Sequence, residues 1–244
     1  MSQSLFTKEQ IRGAYADVGC ASDYVERRFV SELNILLHEK QVSVVKALMK
    51  QVRPKQTLEI APGPGRLTRD VQSCGSLVCL EYNDAMIQVG RKVCKRVAWV
   101  RGDGFDLPFA SEFDFVYSFR FIRHFHREDR ERLYAGLRRV IKPGGYFVMD
   151  AVNERISKPL RESCPDAYPI YDKLYRPEEL RRELSEAGLE PLEMVPVQKY
   201  YPWQYRSQVL LGPRANWANR LLIRTLERLP RADGLEWIVT CRCG

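Results

Sequence analysis

The chain has 244 residues, 45% of them hydrophobic, and a formal net charge of +8. That size and apolar content suit one α/β domain with a modest elaboration and exclude two full-sized domains. No apolar run approaches the roughly 18 residues of a membrane span, and the seven cysteines are scattered and odd in number, which argues for reduced thiols rather than a disulfide framework.

The first residues, Met1 to Lys8, lack the charged start and apolar core of a secretory signal. With reduced thiols, this predicts a cytoplasmic protein. The positive charge is spread over separate stretches, such as Arg91 to Arg101, Arg155 to Arg161 and Arg176 to Arg182. These residues alternate with apolar or acidic ones, as on solvated helix faces. No RNA-binding module is appended, although a basic balance alone is compatible with nucleic acid, an anionic membrane surface or an acidic substrate.

Residues 1–52 read as a helical segment ahead of a core at 53–244. Val44, Val45, Leu48 and Met49 recur at helical spacing and are expected to pack on a sheet. Tyr15 and Tyr24 lie upstream near Gly13 and Gly19, where either a closing flap or ordinary packing fits. His38 reads as a helix-surface or capping histidine.

The first strand runs into Thr57-Leu58-Glu59-Ile60-Ala61-Pro62-Gly63-Pro64-Gly65-Arg66-Leu67-Thr68. A β-prone run, a Pro- and Gly-rich turn and a helix start bring backbone N–H groups toward a nucleotide-like ligand. The NAD pattern needs a third glycine, and Thr68 stands there instead. Leu77 to Glu81 is the second strand, ending in a carboxylate suited to two ribose hydroxyls. A helix at 84–93 follows. Next come Arg101-Gly102-Asp103-Gly104-Phe105-Asp106-Leu107-Pro108-Phe109, a fourth strand at Phe113 to Ser118, a helix at 127–140, and Lys142-Pro143-Gly144-Gly145 opening a fifth strand. Strands alternating with helices predict a parallel sheet.

These segments, in this order, resemble the class I S-adenosylmethionine-dependent methyltransferases. The turn resembles that family's first motif with Ala61 in the first glycine slot, acceptable provided the φ of Ala61 is negative. The resemblance implies a doubly wound α/β fold with a seven-stranded, mostly parallel sheet whose last strand is antiparallel. It implies S-adenosyl-L-methionine as cofactor. Glu59, Ala61, Gly63, Gly65, Glu81, Asp103 and Gly104 would hold it, Tyr82 and Phe105 would flank the adenine, and Ser118 and Tyr15 would complete the site.

After the fourth strand come Ser118-Phe119-Arg120-Phe121-Ile122-Arg123-His124-Phe125-His126. Relatives carry an aromatic or histidine segment here that lines the pocket. His124 has the chemistry of a general base near neutral pH, and a pocket-shaping role is equally compatible. Arg120, a cation beside a sulfonium, would hold an anionic substrate group or pair with Glu81, Asp103 or another acid. No Asn-Pro-Pro-Tyr or Asp-Pro-Pro-Tyr follows the strand, which speaks against methylation of base amines. The Asp-Leu-Pro-Phe run and the Pro-Gly-Gly turn look most like the broad group that includes quinone and other small-molecule methyltransferases.

Residues 151–176, rich in proline and tyrosine, are expected to be irregular, and a helix opens at Pro177. Leu189 to Lys199 and Glu236 to Arg242 read as the last two strands, with an insertion at 200–233 between them. In it Trp217, Leu221, Leu222, Leu226 and Leu229 share one stripe, and Arg220, Arg224 and Arg228 another. The apolar stripe is expected to pack on the body as a lid. The alternative is an interfacial helix making peripheral membrane contact. Cys241 and Cys243 share a strand face, lack the partners of a metal site and are expected at the sheet's terminal edge. No metal is expected.

Three uses of such a domain compete. The first is methyl transfer to an O, N or C atom of a small acceptor, whether aromatic, anionic, lipid-like or glycan-linked. The second is an RNA or protein methyltransferase exploiting the basic surface. The third is a non-catalytic S-adenosylmethionine-binding module.

Overall fold

The computed structural model describes residues 31–230 and 233–244. Tyr15 and Tyr24, expected near the cofactor, lie outside the described residues. Helix α1 (Glu32–Val52) opens on Ser31, whose hydroxyl accepts the Asn34 amide at 3.3 Å, and closes on Arg53 in the left-handed region. Its apolar stripe, with Val45, Leu48 and Met49, packs on one face of the sheet.

Eight strands follow in chain order: β1 (Thr57–Ile60), β2 (Leu77–Glu81), β3 (Ala98–Arg101), β4 (Phe113–Ser118), β5 (Ile141–Asn153), β6 (Leu174–Tyr175), β7 (Leu189–Lys199) and β8 (Gly234–Cys243). They form one sheet in the order β3-β2-β1-β4-β5-β8-β7, and the two-residue β6 pairs with the end of β5. The β1–β2, β1–β4, β2–β3 and β4–β5 pairs are parallel, while β8 runs antiparallel to both its neighbours. The expected seven-stranded arrangement with an antiparallel last strand is therefore present.

The connecting helices are α2 (Thr68–Val71), α3 (Asp84–Val93), α4 (Arg127–Val140), α5 (Glu154–Ser163), α6 (Pro177–Glu186), α7 (Tyr201–Leu210) and α8 (Asn216–Arg228). They cover both faces, so the central strands are apolar on both sides. Leu58, Ile60 and Val116 join Leu133, Leu137 and Leu180 in one cluster, and Phe115 and Tyr117 join α1 in the other. A register shift between Phe113 and Phe115 sends these two residues to opposite faces.

Three expectations fail. Residues 151–176 are not irregular throughout: β5 runs on to Asn153, whose side chain accepts the Arg155 amide at 3.1 Å and caps α5. Pro159 sits inside that helix, sacrificing one backbone hydrogen bond without ending it. Cys241 and Cys243 are not at an edge, because β8 lies between β5 and β7, and burial pushes the Cys241 thiol up to about 12. Among the described residues no cluster of His, Cys, Asp or Glu could hold a metal ion. Finally, the stripe of α8 does not pack inward. Asn219, Ile223 and Glu227 are buried, while Trp217, Leu221 and Leu222 are exposed. Among the described residues no helix is long and apolar enough to cross a membrane.

Candidate active site

The strand order reverses between β1 and β4, and a crevice opens beyond the carboxyl ends of the strands at that switch point. Its floor is the turn after β1. Ala61, Gly63 and Gly65 all have positive φ, at 55°, 59° and 81°. The condition placed on Ala61 is not met: the alanine is held in the left-handed region that glycine prefers, at a cost of about 1–2 kcal/mol. At Gly63 nothing lies within 4 Å of where a Cβ would be, so the backbone is open to the cavity. Gly65 does not line the cavity. It packs under Cys94, whose Sγ would lie 2.7 Å from an added Cβ.

Two carboxylates frame this turn. Glu81, at the end of β2, accepts the Gly63 amide on Oε2 and the Asn83 amide on Oε1, each at 2.9 Å. Burial pushes its carboxyl up, against the pull of these amides. Each oxygen keeps a lone pair for a further donor such as a sugar hydroxyl. Glu59, in β1, is fully buried. Its Oε2 accepts the Thr68 hydroxyl at 2.6 Å and the Tyr117 hydroxyl at 2.9 Å. Burial nevertheless raises it to about 7. The threonine that breaks the NAD pattern thus serves to hold Glu59.

The opposite wall comes from β3 and the segment after β4. Asp103 accepts the Phe105 amide on Oδ1 at 3.0 Å, which folds the Gly104 turn. Gly104 fits because a Cβ there would meet Phe121 at 2.8 Å. Phe105, Phe121 and Phe125 pack edge to face, with centroids 4.9 Å apart for Phe105 and Phe125 and 5.1 Å for Phe121 and Phe125. Tyr82 and Met86 line the far side. Ser118 does not line the cavity: its hydroxyl donates to the Ile60 carbonyl at 2.9 Å and ties β4 to β1.

Arg66, a residue the motif reading passed over, lines the cavity and is anchored to α1. Its Nη1 donates to His38 Nδ1 at 2.8 Å and its Nη2 to Gln41 at 2.7 Å. His38 Nε2 in turn donates to Asp70 at 2.7 Å. His38 is therefore neither a surface nor a capping residue. Burial and the Arg66 charge lower its pKa, which suits the neutral form that accepts from arginine.

A second cavity adjoins the first and shares Arg120 and His124 with it. Its other walls include Tyr168, Tyr201, Tyr205 and Arg161. Beneath it lies a buried charged cluster. Arg123 reaches Asp150 at 2.9 Å, Asp172 at 3.0 Å and Glu236 at 2.8 Å. His124 Nδ1 lies 2.9 Å from Asp172 Oδ1 and 3.0 Å from the Tyr171 carbonyl. Both neighbours are acceptors, so Nδ1 carries the proton and Nε2 is left as an acceptor. Burial pushes the Asp172 carboxyl up, but Arg123, His124 and Arg161 together hold it well below the usual carboxylate range.

Arg120 has φ 59°, and its amide donates to Asp150 Oδ1 at 2.7 Å. Its half-buried guanidinium pairs with neither Glu81 nor Asp103, nor with any other described acid. Phe121 and Phe125 fall in the aromatic segment noted after the fourth strand, whereas Tyr117, Met86 and Asp172 carried no local motif. Tyr117 had one usable signal, since it alternates with Val116 and so shares a face with Phe115.

The sheet order, the glycine turn at its switch point and the acids ending β2 and following β3 define a class I, Rossmann-like methyltransferase fold. Residues 58–149 match the methyltransferase-domain family model. Over 139 residues the chain is 34% identical to a ubiquinone/menaquinone biosynthesis C-methyltransferase UbiE of Ectopseudomonas mendocina, covering 52% of each chain. A homologous UbiE of Idiomarina loihiensis is 31% identical over 130 residues, 49% of each. The chain thus aligns with about half the length of these curated relatives. The fold is shared with the Synechocystis magnesium protoporphyrin IX methyltransferase bound to SAH, with a TM-score of 0.69, 10% identity and coverage of 98% of this chain and 100% of that one. It is also shared with a Burkholderia thailandensis 1,6-didemethyltoxoflavin-N1-methyltransferase, with a TM-score of 0.62, 14% identity and coverage of 99% and 93%.

Proposed function

We propose that this protein transfers a methyl group from S-adenosyl-L-methionine to a small acceptor carrying an anionic group. Bound in the first cavity, the cofactor supplies an electrophilic methyl group on a sulfonium. Glu81 would accept from ribose hydroxyls with the lone pairs its backbone contacts leave free. Asp103 would accept from the adenine amino group, and Tyr82, Met86 and Phe105 would flank the ring. The open backbone at Gly63 allows close approach.

The acceptor would occupy the second cavity, between Tyr168, Tyr201 and Tyr205. The observation that carries this reading is Arg120, a guanidinium shared by both cavities that pairs with no acid among the described residues. Such a cation in a half-buried site favours a carboxylate, phosphate or phenolate there. His124, with its Nδ1–H held by the Tyr171 carbonyl beside Asp172, would take the acceptor's proton on Nε2. The remaining chemical work of the chain is to align the acceptor and exclude water.

Calorimetric titration with S-adenosylmethionine, S-adenosylhomocysteine and NADH tests the first half of the reading. Micromolar binding of the first two without the third is the expected result, and folded protein that binds neither overturns it. A panel of neutral and anionic aromatic acceptors tests the second half: turnover restricted to anionic members is expected, and equal turnover of neutral analogues removes Arg120 from recognition.

A further inference from the structure

Helices α7 and α8 are built with their polarity inverted. Their mutual interface is polar: Ser207 donates to Asn219 at 2.8 Å, and Gln204 donates to the Ile223 carbonyl at 3.3 Å and to Glu227 at 3.2 Å. Glu227 also accepts the Lys199 amide at 2.9 Å. Turning α8 to bury its apolar stripe would strand these buried groups. Arg220 and Arg224 hold the same orientation through Glu32 and Glu39 of α1.

The outward face therefore carries the large apolar side chains. Trp217 is 76% exposed, Leu221 63%, Leu210 62% and Trp203 61%, with Val209 and Leu222 beside them. Around them stand Arg206, Arg214 and Arg228, which have no carboxylate partner among the described residues. Arg206 lies over the Trp203 ring at 5.2 Å. Between 200 and 230 the sole acid is Glu227, and it is buried.

We infer that this face docks on an anionic lipid bilayer. Tryptophans and leucines flanked by arginines match the boundary between acyl chains and charged headgroups. Charge complementarity selects this occupant over a second copy, because a two-fold contact would set the arginines against their own equivalents. The inference goes beyond methyl transfer and stands without it. It also has a consequence for the site: Tyr201, Tyr205 and Gln208 of α7 line the second cavity, so the helix that walls the cavity is the one that meets the lipid.

The test is co-sedimentation of the full chain with vesicles of phosphatidylcholine alone or enriched in phosphatidylglycerol. Binding to the anionic vesicles with a blue shift of tryptophan emission is expected. Replacing both tryptophans (Trp203→Ser with Trp217→Ser) should weaken partitioning by about tenfold or more, and Trp→Phe at both positions should restore most of it. Arg206→Gln, Arg214→Gln and Arg228→Gln should each cost about fivefold, and the triple change should flatten the salt dependence. The unfolding midpoint and the calorimetric affinity for S-adenosylhomocysteine should not change, since none of these side chains lines the first cavity. Absence of binding to anionic vesicles at low salt overturns the inference. So does binding that ignores the tryptophan changes, or equal affinity for RNA, since either would mean unselective attraction to polyanions. A dimer that dissociates on Leu221→Glu while vesicle binding is absent overturns it in favour of a second copy.

Discussion

His124 Nδ1 lies 2.9 Å from Asp172, whose carboxylate is shared with Arg123 and Arg161. The Tyr171 carbonyl, 3.0 Å from the same Nδ1, fixes one tautomer of the histidine. His124→Ala should lower turnover by about 10²–10⁴-fold, the usual weight of general acid–base catalysis, while leaving S-adenosylhomocysteine affinity nearly unchanged. Calorimetry beside a methyl-transfer assay separates the two, and equal losses in both would mark the histidine as structural.

Asp172→Asn carries a second consequence, because it removes one carboxylate from a buried cluster around Arg123. Breaking such a pair costs about 3–5 kcal/mol, so the melting temperature should fall. A carboxylate held below its unfolded pKa gives stability that is present above about pH 4 and is lost as the pH falls through the folded value. The wild type should therefore lose more stability than Asp172→Asn between neutral pH and the acid range, which chemical denaturation across pH would measure.

Glu59 has the opposite sign. Burial raises it to about 7, so the folded state binds a proton that the unfolded state releases near pH 4. Its contribution is complete below that pH, declines as the pH rises toward 7, and is flat above. Glu59→Gln keeps an oxygen able to accept from Thr68 and Tyr117 and removes the titration. It should gain up to about 3 kcal/mol relative to wild type at pH 8 and nothing at pH 4. A parallel decline of both proteins with pH would show that Glu59 does not titrate there.

Much of this fold could be read from the chain because local chemistry and tertiary structure agree. Asn83 caps α3 with its side chain, the Pro-Gly-Gly turn leads β5, and alternation marks β4. The ends of β2 and β3 were readable because the spacing from the glycine turn is fixed by the crossover. The cluster around Arg123 was not, since Asp150, Asp172 and Glu236 come from separate elements and meet only in the folded sheet. The face of α8 was misread for a different reason. Periodicity says which side chains share a face, but not which way it points, and here the direction is set by Asn219 and Glu227 pairing with α7. Helix α5 was hidden by Pro159, which reads as a breaker although Asn153 caps a helix around it.

Glu81→Ala should weaken S-adenosylhomocysteine binding by about ten- to a hundredfold, from the loss of charge-assisted hydrogen bonds worth roughly 1.5–3 kcal/mol. It also removes the acceptor of the Gly63 and Asn83 amides. Glu81→Gln can still accept on one oxygen, and it should fall between the alanine variant and wild type in calorimetry. An unchanged dissociation constant in both variants would place the cofactor elsewhere.

Ala61 and Arg120 are non-glycine residues with positive φ on the wall of the first cavity, and strain of this kind collects at functional sites. Ala61→Gly removes the Cβ clash, worth about 1–2 kcal/mol, and gives back about 0.4–1 kcal/mol through the freer unfolded chain. It should therefore raise stability slightly and leave turnover intact. Arg120→Gly makes the same backbone gain and also deletes the cation. Its stability should rise while the KM for an anionic acceptor increases, and the KM for a neutral analogue should stay level. The two readouts move independently only if the backbone of Arg120 is strained and its side chain binds substrate. A fall in stability with both KM values unchanged would deny both roles.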